Sequence, residues 1–188
     1  MLWLLSVLGA LVILLGIATD PLIRFLTPFE SLTGFALLTA AVSWFMQIYP
    51  ALGRRRALAI RLSLLQNADY AGKLDQLDPA SVTSTLETLV SDLVQIRVDL
   101  TQTSESYYFW EADEQLSLPA SLSYAVDLAN QAGRSAKPTL QTAGALLHEA
   151  LDSLAVFLRT EFRHDGESTQ DVFRSYASDH RYPYRENP

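Results

Sequence analysis

Between Ser31 and Leu52 the chain carries no charged side chain, and this run, SLTGFALLTAAVSWFMQIYPAL, limits what it can fold into more than any other feature. At about 1.5 Å of rise per residue, a helix over it would be roughly 33 Å long, enough for a hydrocarbon core about 30 Å thick. A helix buried in a soluble domain would show a polar stripe of helical period, and none interrupts this run. It reads as a transmembrane helix over about residues 30–52. Trp44 and Tyr49 lie toward its C-terminal end, where amphipathic rings favour the headgroup level. Arg54, Arg55, Arg56 and Arg61 follow, which predicts a cytoplasmic location for that end. Trp44, Tyr49, Arg54, Arg55 and Arg56 are therefore the candidate membrane-interface anchors.

A second charge-free stretch, Met1 to Thr19, precedes the first and contains LWLLSVLGALVILLG. It is read as a retained span over about residues 2–18; the alternative is a signal or interfacial segment, although a basic n-region is missing. The two spans would form a hairpin over residues 1–56 with both ends cytoplasmic, joined by DPLIRFLTPFE. Its Pro21 and Pro28 suit a turn and a helix start. Glu30 allows two readings, a carboxylate at the positive end of a helix dipole or an acidic group at the mouth of a cation pathway. Gly34 likewise permits either close helix packing or a hinge.

Beyond Arg61 the balance changes, with 19 acidic residues against 9 basic. An acidic part of this kind lacks the basic footprint that nucleic acid requires, so no nucleic-acid partner is expected. The chain has no cysteine, which removes disulfides, thiolate metal sites and cysteine nucleophiles. Asp78 with Pro79, Ser117 with Pro119, and Pro138 mark helix starts. Leu86, Leu89, Val90, Leu93, Ile96, Val98 and Leu100 recur at mostly helical spacing, as do Leu140, Ala143, Leu147, Leu151, Leu154 and Leu158. The expectation is an all-α protein: a transmembrane helical hairpin, then a small cytoplasmic helical bundle over residues 57–163. A polar tail, 164–188, is expected to be flexible apart from a short helix from Ser168 to Tyr176.

Chemistry is thinly represented. His148, Glu149 and Asp152 do not have the HExxH spacing of a zinc site. His164 with Asp165, and Asp179 with His180, would come together only if the tail folded back. Tyr107, Tyr108, Phe109 and Trp110 read as a plug at the end of a bundle or as a binding platform. With no phosphate loop and no nucleophile–base pair, no enzyme activity, metal or cofactor is expected.

The segment DPLIRFLTPFESLTGFALLTAAVSWFMQIYPALGRRR resembles the inner-helix region of bacterial two-transmembrane potassium-channel-like proteins. MLWLLSVLGALVILLG looks like that family's outer helix, and SYYFWEADEQLSLPASLSYAVDLA is similar to an aromatic-plus-SLP stretch in the cytoplasmic extension of a subgroup. The resemblance implies a plasma-membrane protein engaged in potassium ion transport, assembled as a homo-oligomer, a tetramer if channel-like. Glu30 and Gly34 would then stand at the pore mouth and inner helix, and membrane lipid and potassium would be the partners. The chain departs from the family where GIATDPLIRF joins the two apolar segments directly. No TVGYG-like filter is present, and potassium selectivity needs the carbonyls of such loops. The resemblance therefore implies a truncated or non-selective relative. The alternative is a non-conducting, membrane-anchored interaction or regulatory protein with an acidic helical domain.

Overall fold

Every regular element in the computed structural model is helical, and no strand occurs among the residues it describes, 21–182. Five α-helices follow one another: α1 (Pro21–Asn67), α2 (Pro79–Gln102), α3 (Leu118–Gly133), α4 (Pro138–Glu161) and α5 (Thr169–Asp179). Short 3-10 turns at Ala71–Lys73, Ser104–Tyr108 and Glu114–Leu116 connect them. Local chemistry explains the starts. Asp78 accepts a hydrogen bond from the Ser81 N–H with Pro79 in the first turn, and Pro119 and Pro138 occupy the same place in α3 and α4. Ser168 and Asp171 form a reciprocal capping box at the start of α5.

The chain divides into two units, residues 1–46 and 47–188. The division falls where Pro50, lacking an N–H, cannot donate to the Met46 carbonyl as a helix interior requires. In the first unit, every side chain from Phe29 to Met46 is exposed. Two hydroxyls there fold back onto their own helix, Thr33 Oγ1 to Phe29 O at 2.8 Å and Thr39 Oγ1 to Phe35 O at 2.9 Å. Their polarity is thereby satisfied without any partner outside the helix.

The second unit is a helical bundle. On α2, Val82, Leu86, Leu89, Leu93, Ile96 and Leu100 alternate in steps of four and three and are all buried. Leu58 and Leu62 of α1, Leu122 of α3, and Leu147, Leu151 and Leu158 of α4 join them in one core. Burial at about 1.5–3 kcal/mol for each large apolar side chain dominates the stability of such a unit. The C-terminal part of α1 lies antiparallel to α2: Arg54 pairs with Asp99 and Arg61 with Asp92, two turns apart on each helix and in opposite order. Helices α3 and α4 approach closely at Gly144, where an added Cβ would stand 2.8 Å from both Ala132 Cβ and Gly133 N.

The proposed span over residues 2–18 lies outside the described residues. The structure differs from the sequence expectations at two places. The connection between spans is helical from Pro21 onward, so Pro28 sits inside a helix rather than starting one. Continuing the helix leaves few backbone groups unpaired, which matters most in an apolar stretch. Finally, within the expected polar tail the chain is helical over Thr169–Asp179. Helix α5 buries Val172, Phe173 and Tyr176 in the bundle core, an apolar face that its polar composition conceals.

Candidate functional site

The sequence directs attention to the apolar run and the arginines that follow it. Glu30 and Gly34 are both exposed, with nothing within 4 Å of where a Gly34 Cβ would lie. Trp44 is partly exposed and meets Phe45 edge to face at 5.2 Å. The uninterrupted exposure ends at Gln47; Ile48, Ala51 and Leu52 are buried in the bundle unit, while Tyr49 between them stays exposed. The exposed stretch of helix, residues 29–47, thus corresponds to roughly 28 Å. Among the described residues, α1 supplies the one helix long and apolar enough to cross a membrane.

All three residues of the arginine triplet are committed to the bundle. Arg54 forms a bidentate pair with Asp99, Nε to Oδ2 at 2.6 Å and Nη2 to Oδ1 at 2.7 Å. Asp99 is 4% exposed, and its Oδ1 also accepts from Gln95 Nε2 at 3.0 Å. These hydrogen bonds raise the pKa of the Arg54 guanidinium, with burial opposing them. Arg55 is buried; it donates to the Ser106 carbonyl and, at 3.1 Å, to Tyr176 Oη. Arg56 Nε donates to Glu111 Oε1 at 2.7 Å. The arginines expected as headgroup anchors thus also hold contacts inside the protein. Sequence could not reveal this, because their acidic and carbonyl partners lie 45 or more residues away.

The turn gripped by Arg55 and Arg56 carries the aromatic run. Tyr107 points inward and plugs the end of the bundle, stacked on Phe162 with ring centroids 4.0 Å apart. Tyr108 and Trp110 point outward, 75% and 57% exposed, and Phe109 is less so. Tyr107 thus takes the plug position, while Tyr108 and Trp110 remain at the surface.

Around Tyr107 the folded-back tail assembles a polar cluster. Tyr107 Oη donates to Asp179 Oδ2 at 3.0 Å and lies 2.8 Å from His164 Nε2, while Ser175 Oγ lies 3.0 Å from His164 Nδ1. One set of protons satisfies all three contacts: His164 is neutral, donates from Nε2 to Tyr107 and accepts from Ser175. Burial lowers the His164 pKa; Asp179 opposes that and His180 reinforces it. Burial also raises the Tyr107 phenol well above its usual value, helped by the Asp179 hydrogen bond, which keeps it a donor. His180 is buried with Nδ1 3.1 Å from Tyr176 O and Nε2 2.8 Å from Tyr107 O; a neutral ring donates to only one of these carbonyls at a time. His164, Asp179 and His180 thus contribute hydrogen bonds, and no group of three metal-ligating side chains occurs among the described residues. His148 meets Asp152 at 3.0 Å on the exposed face of α4, without a third ligand. The cluster fixes the end of the bundle.

Comparison with protein-family models, with curated proteins and with solved structures finds no match for this chain. The arrangement itself then carries the functional reading. It combines an exposed apolar helix, a separately cored helical bundle, and an aromatic turn secured by the arginines that follow the apolar run.

Proposed function

We propose that this protein is a non-conducting membrane anchor for an acidic helical interaction domain. The carrying observation is the continuous exposure of Phe29 to Gln47 on a helix whose next turns are built into a bundle with its own core. Leaving Phe29, Leu32, Phe35, Leu38 and Val42 in water is unfavourable at roughly 25 cal/mol per Å² of apolar surface, whereas lipid removes that penalty. The matched length, roughly 28 Å against about 30 Å of hydrocarbon, favours a spanning helix over one lying flat. Orientation follows from Arg54, Arg55, Arg56 and Arg61, which put the bundle on the cytoplasmic side of the plasma membrane. Topology is decided as the chain inserts, before the arginines find their partners in the bundle, so their later pairing does not cancel the bias. The hairpin with residues 2–18 as the other span belongs to the same proposal.

The competing proposal is the potassium-channel relative, a homotetramer with inner helices packed through Gly34, Ala36, Ala40 and Ala41. Without a filter sequence it would line a hole with apolar side chains, and it accounts for nothing in the bundle. Alkaline carbonate extraction of membranes from cells expressing the full chain tests the anchor: the protein stays in the pellet, and Phe35→Arg with Leu38→Arg releases it. Release of the unaltered chain would overturn the anchor. Potassium-selective flux in proteoliposomes would favour the channel instead.

A further inference from the structure

We propose that the groove beside the aromatic turn is a binding site for a small zwitterion that carries a methylated ammonium group. The inference is independent of how the chain meets a membrane, because every residue it uses belongs to the bundle unit. The groove has a volume of about 400 Å³, within the usual range for small-ligand sites, and is lined by Tyr107, Tyr108, Trp110, Asp179, His180 and Arg181. The fold holds much of this wall in place. Tyr107 is stacked on Phe162, and its hydroxyl donates to Asp179. Tyr108 meets Tyr107 edge to face at 5.2 Å and Phe162 at 6.3 Å, so its ring is positioned by the bundle while most of it stays open to solvent. His180 adds a buried ring whose two nitrogens face backbone carbonyls.

Three groups of the groove remain uncommitted among the described residues. Trp110 is exposed and makes neither a ring contact nor a hydrogen bond. Asp179 uses only Oδ2, toward Tyr107 and His164, which leaves Oδ1 open on an exposed side chain. The exposed guanidinium of Arg181 has no partner, and it does not pair with Asp179 two residues before it. The chemistry of the ligand follows from these groups. Tryptophan and tyrosine faces attract an organic cation, and a methylated ammonium gives up less hydration to reach them than a bare ammonium does. Asp179 adds a carboxylate for the same positive charge. Arg181 would repel a simple cation and instead suits a carboxylate or phosphate on the same molecule, which a guanidinium can bind through two parallel hydrogen bonds. A methylated lysine side chain, carrying the cation alone, satisfies only part of the groove.

Saturation-transfer NMR on the full chain in maltoside micelles tests this, with glycine betaine, phosphocholine and choline as probes and glycine as the unmethylated control. Glycine betaine and phosphocholine should bind more tightly than choline, and glycine should show no transfer. The tighter of the first two tells whether the natural ligand carries a phosphate, as a lipid headgroup does, or a free carboxylate. Trp110→Ala should raise the Kd for glycine betaine at least about threefold. Arg181→Gln should weaken glycine betaine and phosphocholine and leave choline unchanged. Both side chains are exposed and without partners, so the fold tolerates their loss, which circular dichroism checks before titration. Absence of transfer to all three methylated probes overturns the site, as does undiminished binding of glycine betaine by Trp110→Ala. Choline bound as tightly as glycine betaine, with Arg181→Gln without effect on either, overturns the zwitterion. Each of these failures leaves the carbonate-extraction result, and with it the anchor, untouched.

Discussion

Replacing Arg54 by methionine separates the two roles available to the arginine triplet. In the folded bundle the substitution removes two charge-assisted hydrogen bonds, at 2.6 and 2.7 Å, and leaves Asp99 with Gln95 as its one remaining side-chain partner. Stripping one partner from a fully buried ion pair costs about 3–5 kcal/mol, whereas an exposed pair is worth about 0.2–1 kcal/mol. Here the carboxylate is 4% exposed but the arginine side chain is 45% exposed, so water can reach part of the vacated space. The expected cost lies between those limits, at about 2 kcal/mol, equivalent to a loss of roughly 5–7 °C in Tm for a unit of this size. Asp99→Leu leaves Arg54 free to turn into solvent and should cost less, about 1 kcal/mol. The two changes combined should cost at least about 1 kcal/mol less than their sum, because the orphaned carboxylate is gone. Urea unfolding of the chain in detergent micelles, followed by far-ultraviolet circular dichroism, gives all four corners of the cycle. A change in stability under about 0.5 kcal/mol for Arg54→Met would refute the reasoning. If that variant instead became easier to extract from membranes, the headgroup-anchor role would be the correct one.

The remaining predictions use the same unfolding assay. Tyr107→Phe removes the partner shared by His164 and Asp179 and should destabilise by about 1–3 kcal/mol, since the imidazole it leaves is buried. Because burial depresses His164 in the fold, its contribution is complete above the unfolded imidazole value near 6.5 and is lost as the pH falls through that value toward the folded pKa. The urea midpoint should therefore drop between about pH 7.5 and about pH 5.5, and His164→Gln should drop less over the same interval. Gly144→Ala drives a Cβ against Ala132 and the Gly133 backbone and should cost about 1–3 kcal/mol, whereas Gly53→Ala meets open space and should be close to neutral.

The sequence by itself determined the helical class, because apolar residues at spacings of three and four leave no other way to bury them. It also located the long apolar segment, whose lack of charge is a local property, and the starts of α2, α3 and α4. Those starts depend on Asp78 and on prolines acting within one turn. The C-terminal helix was legible in outline, from about Ser168, but its attachment was not: four apolar residues of α5, Val172, Phe173, Tyr176 and Ala177, do not by themselves say what they will pack against. The tertiary structure decided three further things. It ended the exposed run at Gln47, since hydropathy cannot distinguish Ile48 against protein from Ile48 against lipid. It turned Arg54, Arg55 and Arg56 toward Asp99, Ser106 and Glu111, partners that are remote in sequence and meet only once α2 lies antiparallel to α1. And it divided one aromatic run into an inward Tyr107 and an outward Tyr108 and Trp110, a choice made by backbone direction in a 3-10 turn, which no pattern of side-chain types encodes.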